Sequence, residues 1–78
     1  MAPLTISNYL GMLQEDSGSQ TAINGIREII ASGDTARIGE QPVRLLEMAR
    51  QGFEKSGEVR TVADLIDLEI ELIGDFGE

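Results

Sequence analysis

The side chains that could do chemistry in this 78-residue sequence are mostly carboxylates, because histidine and cysteine are both missing. Without those two residue types the chain cannot form the common zinc sites, a Ser-His-Asp triad or a Cys-His dyad. It also cannot form a disulfide, which a domain with so narrow a stability margin would otherwise use. The sequence therefore predicts no catalytic residue, no metal ligand and no cofactor. We expect the protein not to be an enzyme.

The carboxylates are concentrated at the end of the chain. The sequence has 14 acidic and 6 basic residues, a net charge of -8, and residues 64–78 contain acids but no base. Direct binding to nucleic acid is disfavoured, because phosphate contacts need lysine and arginine. Two interpretations of the acidic segment remain open. It is either the solvated face of a helix or a surface that meets a basic protein.

Short catalytic motifs give no further support for chemistry. Asp75-Phe76-Gly77 matches the metal-binding tripeptide of protein kinases, but the glycine-rich loop, the strand lysine and the catalytic loop are missing. Asp16-Ser17-Gly18 is typical of a turn between helices. No run approaches the roughly 18 apolar residues of a membrane helix, and no basic-then-apolar signal segment opens the chain. We expect a cytoplasmic protein with no membrane partner.

Apolar residues recur at helical spacing in four segments, residues 5–14, 20–32, 42–56 and 61–73. Thr5 and Ser19 are suited to begin the first two helices, and Gly33 is suited to end the second. Thr61-Val62-Ala63-Asp64 predicts a capping box at the start of the fourth. Because the links are short, antiparallel hairpins are favoured. We predict one all-α domain over residues 1–78, with four short amphipathic helices in two antiparallel helical hairpins.

The last helix has an unusually wide apolar arc. On a helical wheel eight residues cover more than half of its circumference: Val62, Leu65, Ile66, Leu68, Ile70, Leu72, Ile73 and Phe76. The opposite side, which we expect to be solvated, carries Asp64, Asp67, Glu71 and Asp75. Glu69 lies within the apolar arc, where a carboxylate needs a partner. That partner is an arginine such as Arg44 or Arg50, or another chain. A catalytic role is disfavoured, because no second catalytic group is visible.

Residues 45–75, LLEMARQGFEKSGEVRTVADLIDLEIELIGD, resemble the helix-turn-helix of a tetratricopeptide-like (TPR-like) repeat. Ala49, Phe53, Gly57-Glu58 and Ala63 stand where that family has small and aromatic residues around a Gly-Asp or Gly-Glu turn. The interval from Gly57 to Ala63 is one residue longer than in the family, and the following proline is missing. The segments at residues 9–13 and 45–49 resemble each other 36 residues apart, near the repeat length of about 34.

The resemblance implies a non-catalytic protein–protein interaction module, a scaffold or an assembly subunit. About three such repeats are needed to cover the apolar faces, and this chain has about two. It is therefore either part of a longer array or an oligomer partner, and we expect it to bind itself or another protein. The predicted partner-binding residues lie on the last helix: Leu65, Glu69, Leu72, Ile73 and Phe76. The alternative is a small acidic inhibitor or antitoxin-like protein that mimics nucleic acid at a basic site.

Overall fold

The structure is a computed structural model that describes residues 4–76, with side chains through residue 74. Within that range it contains helices and no strands, so the predicted all-α class is confirmed. Four helices are long and one is a single turn: α1 (Ile6–Glu15), α2 (Gln20–Ser32), α3 (Thr35–Ile38), α4 (Pro42–Ser56) and α5 (Val59–Phe76).

The ends of the first helices follow from local chemistry, as predicted. Thr5 and Asn8 form a capping box, in which each side chain accepts a hydrogen bond from the other residue's backbone N–H. The Ser19 side chain accepts from an N–H in the first turn of α2. Gly33 ends α2 at φ 69°, and Gly57 ends α4 at φ 77°. Glycine is suited to both places because it has no Cβ to oppose a left-handed backbone.

The predicted start of the last helix is wrong. The helix begins at Val59, and the Val62 N–H donates to the Glu58 carbonyl at 3.0 Å, so its first turn lies before Thr61. Thr61 is inside the helix and only 2% exposed, whereas a capping residue has a non-helical backbone. Gly57 has a left-handed backbone that reverses the chain within the two residues between α4 and α5, so α5 begins directly after the turn.

The link between the second and fourth helices is partly ordered as α3. Asp34 caps this turn through its side chain, and Ile38 is only 6% exposed, so the link contributes to the core. Arg37 Nε donates to the Leu4 carbonyl at 3.0 Å. This bond holds the link beside the chain entering α1.

The helices form the two predicted hairpins, α1 with α2 and α4 with α5. The hairpins pack with α2 against α5 and with α1 against α4. Ser17 Oγ donates to Glu58 Oε2 at 2.9 Å, so the two hairpin turns lie at the same end of the molecule. Consequently α1 runs in the direction of α4, and α2 in the direction of α5. The hairpins are stacked in the same orientation.

The core lies between the stacked hairpins and is aliphatic. Its fully or nearly buried members are Ile6, Leu10, Leu13, Ala22, Ile23, Ile26, Ile29, Ile30, Ile38, Leu46, Leu65, Leu68 and Leu72. Tyr9 packs its ring directly on Gly25 of α2, where a Cβ would overlap the ring. The absence of a side chain at Gly25 therefore sets how closely α1 approaches α2.

Candidate functional site

In the structure, the wide apolar arc of α5 divides into a buried surface and an exposed surface. Leu65, Leu68 and Leu72 have no exposed surface and belong to the core. Ile70 and Ile73, by contrast, are 62% and 49% exposed. The same helix therefore has a buried apolar face and a second apolar face that no described part of the chain covers.

We call the second face the outer stripe: Val59, Val62, Ile66, Ile70 and Ile73. At 100° per residue these five side chains fall within an arc of about 80°. Val59 and Ile66 are 79% and 41% exposed, and Val62 is half-buried. The stripe is centred roughly a third of a turn from the buried leucines. All five members are β-branched, so their side chains have few accessible rotamers.

Glu69 lies between the two apolar faces and is held by α4. Arg50 Nε donates to Glu69 Oε2 at 2.8 Å, and the Glu69 side chain is only 13% exposed. Arg50 also donates to the Glu54 carboxylate one helical turn further on. The hydrogen bond that Arg50 donates to Glu69 raises the pKa of Arg50 above its usual value, and the charges of Glu69 and Glu54 add to the effect, so the guanidinium stays charged. The predicted intramolecular ion pair of Glu69 is thus confirmed.

The outer stripe faces away from α2. On one flank of α5, Glu71 Oε2 lies 3.3 Å from Arg27 Nε of α2. On the other flank, Glu69 reaches α4. The stripe lies beyond the α4 contact, on the side that no described helix covers. The α4–α5 turn extends this surface with an open pocket of about 220 Å³ beside Val59 and Val62.

The predicted partner-binding residues are divided by the structure. Leu65 and Leu72 lie in the core and offer no surface to a partner, which corrects their assignment. Ile73 lies on the outer stripe and Glu69 at its edge. The side chain of Phe76 lies outside the described residues. The sequence could not separate core from surface, because a helical wheel does not show where neighbouring helices stand.

Four stripe residues were missing from the predicted site: Val59, Val62, Ile66 and Ile70. The sequence did contain a signal for two of them. Glu69 interrupts the arc, and an acid that reaches a neighbouring helix marks the edge of the buried face. Ile66 and Ile70 lie beyond that edge. Val59 was missed because the helix was predicted to begin two residues later.

The acidic side of α5 is only partly the solvated face that was predicted. Asp67 is exposed, but Glu71 forms the ion pair with Arg27. Asp64 is half-buried, and its Oδ2 is shielded from solvent without a hydrogen bond from the described protein. The side chain of Asp75 lies outside the described range. Among the residues described, no three carboxylates converge as a metal site would require.

A second open surface is the groove between α1 and α4. It consists of two adjoining hollows of about 410 and 280 Å³ that share Gln14, Met48 and Ala49. The two similar segments at 9–13 and 45–49 lie on either side of it. Among the residues that the structure describes, no ionisable side chain lines either hollow.

Comparison of the chain with protein-family models, with curated proteins and with solved structures found no match. The resemblance to tetratricopeptide-like repeats therefore stays a prediction. Ala49 and Phe53 are partly buried against the core, whereas Ala63 is exposed. In the described residues, no helix combines the length and the apolar composition needed to cross a bilayer.

Proposed function

We propose that this chain is a non-catalytic helical interaction module, a scaffold or assembly subunit that binds a protein through its outer stripe. One observation carries the proposal. A helix that already buries three leucines presents five further β-branched residues on a different face, and four of those are 41–79% exposed. A contiguous apolar patch on a small protein is typical of an interaction site.

The position of the stripe supports this proposal. The hairpins are stacked in the same orientation, and α1 and α4 begin 36 residues apart, at Ile6 and Pro42. In such an arrangement each hairpin covers the apolar face of its neighbour. The outer stripe is the face that the next hairpin, or another protein in its place, would cover. Because β-branched side chains have few rotamers, ordering them on binding costs little entropy.

The acidic alternative has less support. An inhibitor of a basic site would depend on the charge of residues 64–78, which carry six acids. Two of these acids, Glu69 and Glu71, are engaged by Arg50 and Arg27. Of the other acids whose side chains the structure describes in this segment, Asp67 is exposed but Asp64 is half-buried.

The proposal is tested with the double variant Ile66→Glu, Ile70→Glu. Its matched control is Gln20→Glu, Asn24→Glu, which adds the same charge at exposed positions of α2. Circular dichroism first establishes that both variants keep their helices. Sedimentation of the purified chains measures self-association. Capture from a lysate, followed by binding of the purified captured protein, measures association with others.

We expect the stripe variant to lose its association, while the control keeps it, because two carboxylates would be buried without partners in the interface. If the stripe variant folds and still binds the same protein, or itself, as tightly as the control does, the proposal is wrong. Binding that both variants keep and that high salt abolishes would instead favour the acidic alternative.

A further inference from the structure

We infer that an amphipathic helix of another protein covers the outer stripe, and that a lysine or arginine at one end of that helix's apolar face enters the pocket beside Val59 and Val62. The inference rests on the proposed function and gives the chemistry of the partner. Two features carry it: the carboxylates of this pocket, and the shape of the stripe that begins there.

The pocket at the start of the outer stripe combines apolar surface with two carboxylates. Val59 and Val62 line it together with Glu54, Gly57 and Glu58, and none of these residues is basic. Its volume is about 220 Å³ and it is open to solvent. A lysine or arginine side chain complements such a pocket, because its aliphatic stem packs on apolar surface while its cationic head donates to carboxylates.

Both carboxylates can accept a further hydrogen bond. Glu54 Oε1 accepts from Arg50, and Glu58 Oε2 accepts from Ser17 Oγ at 2.9 Å. The second oxygen of each carboxylate accepts no hydrogen bond from the residues that the structure describes. The existing bonds also hold both side chains in place before a partner arrives, which lowers the entropy cost of binding.

The other charges around the stripe are paired or lie farther from its apolar surface. On the α4 flank, Glu69 and Arg50 form an ion pair. On the opposite flank, Asp67 is exposed about 100° around the helix from Ile66, and Arg60 lies at about 120°. The negative charge that adjoins the apolar surface and is open to a partner is therefore that of the pocket. This places the partner's basic residue at the Val59 end of the contact.

The shape of the stripe fits a second helix. The stripe runs from Val59 to Ile73, which is about 21 Å along α5 at 1.5 Å per residue. Its arc of about 80° is the width of a single row of ridges on a helix. A helix that lies along α5 would cover this surface with an apolar stripe of about four turns of its own.

A second copy of this chain does not complement the pocket. If two α5 helices paired antiparallel along their stripes, the pocket of one copy would meet residues 64–78 of the other, which carry six acids and no base. If they paired in parallel, the same carboxylates of both copies would face each other. Like charges across an interface oppose association, whereas the net charge of -8 attracts a basic partner.

Selection of binders from a library of helical peptides tests the inference. The library keeps a helix-forming frame and randomises the residues of one face, and the immobilised full chain selects from it. We expect the selected peptides to have apolar residues at helical spacing and an enriched lysine or arginine at one end of the apolar face. Fluorescence anisotropy of the best synthetic peptide then measures its affinity for purified variants at low salt.

Glu54→Gln, Glu58→Gln removes the charge of the pocket, while each glutamine can still accept the bond from Arg50 or Ser17. The matched control, Glu15→Gln, Glu28→Gln, removes the same charge at exposed positions of α1 and α2. Circular dichroism establishes that both variants keep their helices. We expect the selected peptide to bind the pocket variant about three- to tenfold more weakly, and the control within about twofold of the unmodified chain.

A change in the peptide locates the contact. Replacing its terminal lysine or arginine by glutamine should cause the same loss of affinity. Combined with the pocket variant, this replacement should cost no more than either change alone, because both remove one interaction. Losses that multiply would place the basic residue elsewhere and overturn the inference.

Other outcomes also separate the inference from the proposed function. Peptides with no enrichment of lysine or arginine, or an equal loss with the control variant, would overturn the inference. If those peptides still lose binding to the Ile66→Glu, Ile70→Glu variant, the proposed function stands. A dimer of the unmodified chain that this stripe variant breaks and the selected peptide does not displace would make a second copy the occupant, and the inference fails. If no peptide depends on the stripe, the inference fails, and the proposed function fails with it only if the stripe variant keeps every association.

Discussion

Replacing Leu65 and Ile66 by alanine, one at a time, tests the division of α5 into a buried face and an outer stripe. The two residues are adjacent and similar in size, and the sequence placed both in one apolar arc. In the structure Leu65 has no exposed surface and Ile66 is 41% exposed. The two substitutions should therefore lower the free energy of unfolding by very different amounts, although the two side chains are similar in size.

The magnitudes follow from burial. Removing a fully buried leucine side chain costs about 2–5 kcal/mol, from lost apolar transfer and from the cavity that remains. Ile66→Ala removes a side chain that is partly in water already. It also gains helix propensity, since alanine is favoured over isoleucine by up to about 0.5 kcal/mol. We expect Ile66→Ala to cost about 1 kcal/mol or less, and Leu65→Ala to cost about 2 kcal/mol more than that.

Urea unfolding followed by the helical circular dichroism signal measures this difference, because the chain has no tryptophan and one tyrosine. A chain of this length has a total stability of about 4–12 kcal/mol, so the loss is large in proportion. With a urea dependence of about 1 kcal/mol per molar, the two midpoints should lie about 2 M apart. The protein should be dilute, because self-association would add stability that Ile66→Ala removes.

The reasoning is refuted if the two substitutions cost the same within about 0.5 kcal/mol in dilute solution, a difference too small for a fully buried and a half-exposed side chain. Equal costs would mean that α5 is rotated relative to the core. A second result would be informative in the other direction. If Ile66→Ala costs more as protein concentration rises while Leu65→Ala does not, the outer stripe is the surface that associates.

Three further substitutions test the packing of the hairpins and the edge of the outer stripe. Gly25→Ala should destabilise the chain by about 1–3 kcal/mol in thermal or urea unfolding, since its Cβ would overlap the Tyr9 ring, whereas Gly52→Ala, with open space around it, should stabilise by about 0.5–1 kcal/mol. Equal effects at the two glycines would contradict the close approach of α1 and α2. Glu69→Leu should join the two apolar faces and leave Arg50 with Glu54 alone, so we expect stronger association by light scattering with the helices retained. Unchanged association would show that Glu69 does not limit the stripe.

The sequence by itself determined most of the helical pattern. Thr5, Ser19, Gly33 and Gly57 act within a few residues of chain, through hydrogen bonds to nearby N–H groups or through a left-handed backbone, so their roles can be predicted without knowing the fold. The same is true of the buried isoleucines of α2, whose spacing defines one narrow face. Thr61 was predicted to be a cap because the residues around it match a local capping pattern. The turn at Gly57 instead lets the helix begin at Val59, before Thr61.

Tertiary structure alone decided which apolar residues of α5 are core and which are surface. When apolar residues cover more than half of a helix surface, either part of that surface can be buried. The positions of α2 and α4 determine which part of α5 is buried. Arg50 was one of two arginines suited to pair with Glu69, and the packing of α4 against α5 brought Arg50 within 2.8 Å of it. The packing of α5 against α2 and α4 buried Leu65 and left Ile66 at the surface. Burial is a property of the neighbours of a residue, and a sequence records those neighbours only indirectly.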